Sequence, residues 1–215
     1  MGQIEDRRQR MVRDQIEARG ISQPSILAAF RTVPRELFVP ENLADLAYED
    51  RPLPIGEGQT ISQPYIVAAM IEAAGIERSH VVLEVGAGSG FAAAVMSRIA
   101  AEVFAIERHE TLARQARQRI EALGYENCHI IAGDGMNGLP QEAPFDAILV
   151  AACSRDAPLP LQQQLKINGR LVIPLGDGSI QQLVCVTRIK EDNWERRKIS
   201  PVRFVPLLPG SVAKE

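Results

Sequence analysis

The feature that most constrains this chain is a change of texture near Ser79. From there, short apolar runs alternate with segments of helical spacing. Val81-Val82-Leu83-Glu84-Val85 is nearly continuous in apolar character, as a strand buried on both faces must be. Phe91–Ala100 reads as a helix, Val103–Ile106 as a second strand, and Glu110–Leu123 as a helix closed by Gly124. Further strands are expected at His129–Ala132, Phe145–Ala152, Arg170–Pro174, Gln182–Ile189 and Trp194–Val205, with a short helix at Pro160–Ile167. Strand-helix alternation implies βαβ units, hence a parallel sheet with helices on its faces. The last two strands lack a helix between them and should form a hairpin. The expected fold is α/β: a doubly wound, mostly parallel seven-stranded sheet with an antiparallel C-terminal addition.

Residues 1–75 differ. Met11, Val12 and Ile16 recur at helical spacing before a break at Gly20. Ser25–Thr32 reads as a helix stopped by Pro34, and Pro64–Ala74 as a helix capped by Gly75. Tyr48–Gln63, with Pro52, Pro54, Gly56 and Gly58, reads as irregular. The expectation is one domain over 1–215, made of an N-terminal helical cap with a substrate loop (1–75) and a ligand-binding core (79–215).

Composition narrows the function. A formal net charge of −3 offers none of the basic surplus on which phosphate-backbone binding depends, so nucleic acid is not the expected partner. Three scattered cysteines and three histidines show neither disulfide nor metal-ligand spacing, and no metal is expected. No apolar run is long enough to span a bilayer, and a cytoplasmic location is the expectation. No histidine is assigned a catalytic role.

Gly86-Ala87-Gly88-Ser89-Gly90 lies between the first strand of the core and a helix, where missing side chains let backbone approach a ligand. A tight turn alone would not need three alternating glycines. A dinucleotide fingerprint would place its third glycine at Phe91, and no lysine follows Gly90 as a P-loop requires. Glu84-x-Gly86-x-Gly88-x-Gly90 instead resembles motif I of class I methyltransferases, which implies S-adenosyl-L-methionine as cofactor and S-adenosyl-L-homocysteine as product. Glu84 and the backbone of Gly86, Gly88, Ser89 and Gly90 are then cofactor-binding candidates. Glu107, ending the second strand, is placed to accept bonds from both ribose hydroxyls. Asp134 and Gly135, after the third strand, fall where such enzymes hold the adenine, although Asp-Gly is also a common turn pair. After the fourth strand, Ala151-Ala152-Cys153-Ser154 lacks the Pro-Pro-aromatic motif of amino-directed nucleic-acid methyltransferases.

A more specific resemblance lies upstream. Leu53-Pro54-Ile55-Gly56-x-Gly58-Gln59-Thr60-Ile61-Ser62-Gln63-Pro64 closely resembles the signature of the protein-L-isoaspartate O-methyltransferase family. Val33-Pro34-Arg35-x-x-Phe38-Val39-Pro40, Gly169-Arg170-Leu171-Val172-x-Pro174 and Val202-Arg203-Phe204-Val205-Pro206-Leu207 continue it over nearly the whole chain. Ala87 and Ala152-Cys153-Ser154 depart from the common pattern. The resemblance implies methylation of the α-carboxylate of L-isoaspartyl residues in damaged proteins and peptides by a monomeric repair enzyme. It places the active-site serine at Ser62, with Thr60 lining the pocket and Val205 offering backbone to the peptide. Local sequence alone reads Ser62 as a helix N-cap. Two readings of other classes remain beside it. A nicotinamide-dependent oxidoreductase would bind NAD rather than S-adenosyl-L-methionine, and a catalytically silent binding module would bind cofactor yet methylate nothing.

Overall fold

The computed structural model describes residues 2–177 and 180–212. The chain begins as helix α1 (Gly2–Arg10), which passes into a wider π-helical segment over Met11–Ile16 and a tight last turn ending at Gly20, φ 98°. The sequence expectation recognised only the portion whose side chains are buried. Met11, Val12 and Ile16 sit in the core, whereas α1 itself buries no residue. Helix α2 (Pro24–Thr32) follows, with Pro at its first position, where a missing N–H is harmless.

Tyr48–Gln63 is not irregular throughout. Strands β1 (Leu53–Gly56) and β2 (Gln59–Ile61) form a hairpin. Its turn residues Glu57 and Gly58 both have positive φ, 51° and 68°, the mirror-image turn whose twist suits a two-residue hairpin. Four- and three-residue strands are too short for alternation to show in sequence. Helix α3 (Pro64–Ala74) occupies its expected span. Its N-cap is Gln63, and no side chain caps it, so the N-cap reading of Ser62 is corrected. Pro64 already takes the first helical position and has no N–H to be capped.

The large sheet comprises β3 (Val81–Val85), β4 (Glu102–Glu107), β5 (Cys128–Ala132), β6 (Phe145–Val150), β7 (Leu165–Gly176), β8 (Gln181–Lys190) and β9 (Asn193–Val202). Their spatial order is β5-β4-β3-β6-β7-β8-β9; the first five are mutually parallel, and β7, β8 and β9 pair antiparallel. Helices α4 (Phe91–Ser97), α5 (Glu110–Ala122) and α6 (Leu159–Gln163) connect the parallel strands. Several boundaries shift from expectation, among them the end of α4, at Ser97 rather than Ala100, and that of β6, at Val150 rather than Ala152. The helix before β7 ends at Gln163, because Leu165 already pairs with Phe145; β7 thus begins at Leu165 rather than Arg170 and carries Asn168 at φ 68° within it. Strand β9 ends at Val202, and Arg203–Val205 leaves the sheet as an extended segment.

Successive strand residues serve opposite faces, as pleating requires. Val82, Val103, Ala105, Ala147, Leu149 and Val172 join the core formed with α2, α3, α4, α5 and the N-terminal helical segment. Leu83, Val85, Ile106, Ile148, Val150 and Leu171 join the opposite core with Leu161 of α6. The sheet order reverses at β3, whose neighbours β4 and β6 lead away in opposite directions. A crevice opens there, beyond the carboxyl ends of the strands.

Candidate functional site

Strands β3 and β4 and the edge strand β5 each lead into this crevice with a chemical group. After β3 the chain turns sharply through Gly86, Gly88 and Gly90, at φ 91°, 54° and 88°, values that side-chain-bearing residues seldom adopt. The N–H groups of Gly86 and Ala87 both donate to the carbonyl of Ile106 on β4, at 2.8 and 3.0 Å, which fixes the loop to the sheet. Glu107, at the end of β4, is buried. Its carboxylate accepts the N–H of Gly88 at 2.8 Å and that of His109 at 2.9 Å. One side chain therefore ties the glycine loop to the start of α5.

Glu84 is fully enclosed within β3, and its Oε2 has no hydrogen-bond partner. Burial, reinforced by the negative charge of Glu107, holds its carboxyl well above the usual range; a bond from the Ala93 backbone pulls weakly the other way. A buried carboxyl with a free oxygen is costly unless a cationic or donor group meets it.

Around these groups lies a cavity of about 280 Å³, close to the lower end of the range of about 300–1,000 Å³ usual for small-molecule sites. Of the residues expected from sequence, Thr60, Ser62, Glu84, Gly86, Gly88, Ser89, Glu107, Gly135 and Val205 all line it. Thr60 is exposed and Ser62 half-buried at the end of the β2 hairpin. Two expected residues stand apart from its walls. Gly90 packs on α5, where a Cβ would come within 3.2 Å of Ala116 Cβ. Asp134 uses one oxygen to cap the turn that follows, accepting from Met136 N at 2.9 Å. Its other oxygen accepts the N–H of Gly210, at 2.8 Å, from the C-terminal segment.

That segment forms one wall of the cavity. Cys153 N donates to Val205 O and Leu207 N to Cys153 O, each at 2.7 Å. Val212 N donates to Arg108 O at 2.7 Å, and Pro206, Leu207 and Leu208 line the cavity with Val205. Sequence reasoning missed Met70, Phe91, Arg108, His109 and Leu208 as lining residues. Nothing in their local pattern marks them, because three come from helix starts or helix faces and Leu208 reaches the site from the far end of the chain. Among the described residues, no cluster of His, Cys, Asp or Glu is placed to hold a metal ion.

Against known proteins, the model of the family described as protein-L-isoaspartate(D-aspartate) O-methyltransferase matches residues 6–211. The chain belongs to this family. It is 54% identical over 205 residues to protein-L-isoaspartate O-methyltransferase 2 of Pelobacter propionicus, covering 95% of this chain and 91% of the relative. To protein-L-isoaspartate O-methyltransferase 1 of Rhodopseudomonas palustris it is 55% identical, covering 94% and 82%. A solved protein-L-isoaspartate O-methyltransferase superposes with a TM-score of 0.84 at 30% identity; the match covers 93% of this chain and 65% of that one. The fold is also that of a Plasmodium falciparum protein solved with S-adenosyl-L-homocysteine, at a TM-score of 0.81 and 24% identity, over 94% of this chain and 98% of that one.

The methyltransferase's cofactor is S-adenosyl-L-methionine, and the cavity's chemistry fits it. Its ammonium group suits the unpartnered Glu84 oxygen, while loop backbone free of side chains at Gly86 and Gly88 suits close approach.

Proposed function

We infer that this chain methylates the free α-carboxylate of L-isoaspartyl residues in damaged proteins and peptides, with Ser62 holding the acceptor. One observation carries the residue assignment. Thr60 and Ser62, from the hairpin that bears the family signature, line the same cavity as the glycine loop and Glu107. Donor and acceptor thus meet in one enclosure.

When bound, S-adenosyl-L-methionine supplies an electrophilic methyl group. Glu84 would pair with its ammonium, Glu107 would hold its ribose hydroxyls, and Gly86, Gly88, Ser89 and Gly135 would contribute backbone around it. The acceptor carboxylate, with an ordinary pKa of about 4, is ionised at neutral pH and needs no general base. Catalysis then rests on placing its oxygen in line with the methyl group. The Ser62 hydroxyl donates to the carboxylate, Thr60 shapes the pocket, and the Val205 backbone holds the peptide. Val67, Met70, Phe91 and Leu149 give the cavity apolar walls. Such walls favour a step in which a carboxylate and a sulfonium lose their charges together. The resulting ester collapses to a succinimide, which reopens in part to normal aspartate.

The chain acts as one domain, as a monomer in the cytoplasm, without nucleic acid or membrane partners. No helix among the described residues is long and apolar enough to cross a membrane.

The deciding experiment offers an isoaspartyl peptide and its normal aspartyl twin, with methyl-labelled cofactor. The isoaspartyl form alone should be labelled. Ser62→Ala should lower turnover at least tenfold, about the weight of one hydrogen bond to a charged group, with cofactor affinity unchanged. Full turnover in that variant would remove Ser62 from the reaction.

A further inference from the structure

Arg35 is the most enclosed charge in the molecule's N-terminal half. It is 0% exposed, and among the described residues no acidic side chain lies within ion-pair distance of it. Its Nε donates to the carbonyl of Ala47 at 2.7 Å and its Nη2 to the carbonyl of Ser62 at 2.9 Å, while Nη1 has no partner. The guanidinium lies over the ring of Phe91, 4.7 Å from its centroid. Two of the three residues it touches, Ser62 and Phe91, line the cavity: one follows strand β2 of the hairpin, the other opens helix α4 after the glycine loop.

A cation so placed is expensive. Its desolvation is not repaid by a paired carboxylate, and the cost is visible in a pKa pulled down by burial to about 9. Asp50, a nearby carboxylate, is engaged elsewhere: it accepts from Gln63, from the Tyr65 backbone and from Arg19. If Arg35 only tied Ala47 to Ser62 and Phe91, a neutral donor would serve at lower cost. What a neutral donor lacks is positive potential on the far side of Ser62. The cavity needs that potential. Its walls carry the carboxyl groups of Glu84 and Glu107, and the lining cation Arg108 is turned to the tail, donating to the carbonyls of Gly210 and Pro209. An anionic acceptor placed in the same enclosure as Glu107 is repelled by it, and among the described residues no lining side chain other than Arg108 carries a permanent positive charge.

We propose that Arg35 is a positioning and specificity residue, fixing the Ser62 backbone against Phe91 at the start of helix α4 and supplying, from behind Ser62 and Phe91, the positive potential that selects an acceptor bearing a carboxylate. This rests on the reading of Ser62 as the acceptor side. Arg35 does not touch the substrate; it acts through the serine carbonyl and through its field, which reaches the cavity little screened because water is excluded around it.

The test uses the full-length enzyme saturated with S-adenosyl-L-homocysteine. A peptide bearing one L-isoaspartyl residue, and its twin with the α-carboxylate replaced by a carboxamide, are titrated calorimetrically. In Arg35→Met the preference for carboxylate over carboxamide should fall about tenfold, the order expected for one charge acting through an effective dielectric of about 20. S-adenosyl-L-homocysteine affinity should hold, and Arg35→Lys should recover most of the preference. Arg35→Gln keeps a donor toward the Ser62 carbonyl without the charge, so it makes the same prediction should Arg35→Met not fold. An unchanged preference in either neutral variant, or parallel loss of both peptides and of S-adenosyl-L-homocysteine, overturns the proposal. The reading of Ser62 is judged separately: full turnover in Ser62→Ala defeats it, whatever the Arg35 variants show.

Discussion

Two carboxyl groups stand close enough to influence one another, yet their surroundings give them opposite tasks. Glu107 is satisfied by two backbone N–H groups before any ligand arrives. Glu107→Gln should therefore disturb the loop as well as the ribose contact. Each lost charge-assisted bond is worth about 1.5–3 kcal/mol, so S-adenosyl-L-homocysteine affinity should drop at least tenfold by calorimetry. Glu84 is the unsatisfied partner. Its carboxyl is raised above an ordinary value near 4.5 by burial and by Glu107, so the native state holds this proton more tightly than the unfolded chain does. Stability then falls as pH rises from about 4.5 toward the raised native value, because only folding opposes the loss of that proton. Without cofactor, Glu84→Gln should be the more stable protein at pH 8 in urea titrations, and the advantage should vanish near pH 4. Binding a cationic ammonium beside Glu84 should release a proton, read as a buffer-dependent heat; a heat independent of the buffer would contradict it.

At the scale of elements, the C-terminal segment matters more than its irregular backbone would imply. Arg203–Val212 is held by backbone bonds to Cys153 and Arg108 and by the Asp134 carboxylate, and it walls the cavity through Val205 to Leu208. Sequence placed Asp134 at the adenine; here each of its oxygens accepts one backbone N–H, which adds a role in holding the wall. The two roles separate experimentally. Asp134→Ala should speed S-adenosyl-L-homocysteine release roughly tenfold in stopped flow, since one charge-assisted bond of about 1.5–3 kcal/mol to the wall is gone. It should leave unchanged the preference for S-adenosyl- over S-inosyl-homocysteine. A collapse of that preference would return Asp134 to the adenine. The hairpin β1–β2 shows the same economy: a mirror-image turn at Glu57-Gly58 joins strands of four and three residues, and Thr60 on β2 and Ser62 just after it both line the cavity.

At the scale of the whole molecule, the larger of the two cores joins the N-terminal helices to the sheet. Met11, Phe30, Phe38, Met70, Phe91, Ala116 and Leu183 belong to a single buried cluster, with the rings of Phe30 and Phe38 each set edge-on to Phe91 at 5.9 and 5.6 Å. Unfolding in urea should accordingly show one transition, coincident by Trp194 fluorescence and far-ultraviolet circular dichroism; separate transitions would divide the chain near residue 75. Sequence by itself determined the α/β class, the seven strands, the glycine loop and the two carboxyl groups at the strand ends, because pleating and helical winding write burial into local periodicity. It also carried the family through the hairpin signature. Only the tertiary structure decided which residues share the cavity. Phe91, Arg108 and Leu208 converge from distant parts of the chain, Asp134 is drawn to Gly210, and Arg35 lies buried behind Ser62. These facts depend on how non-local elements pack, and no short-range pattern of side chains encodes them.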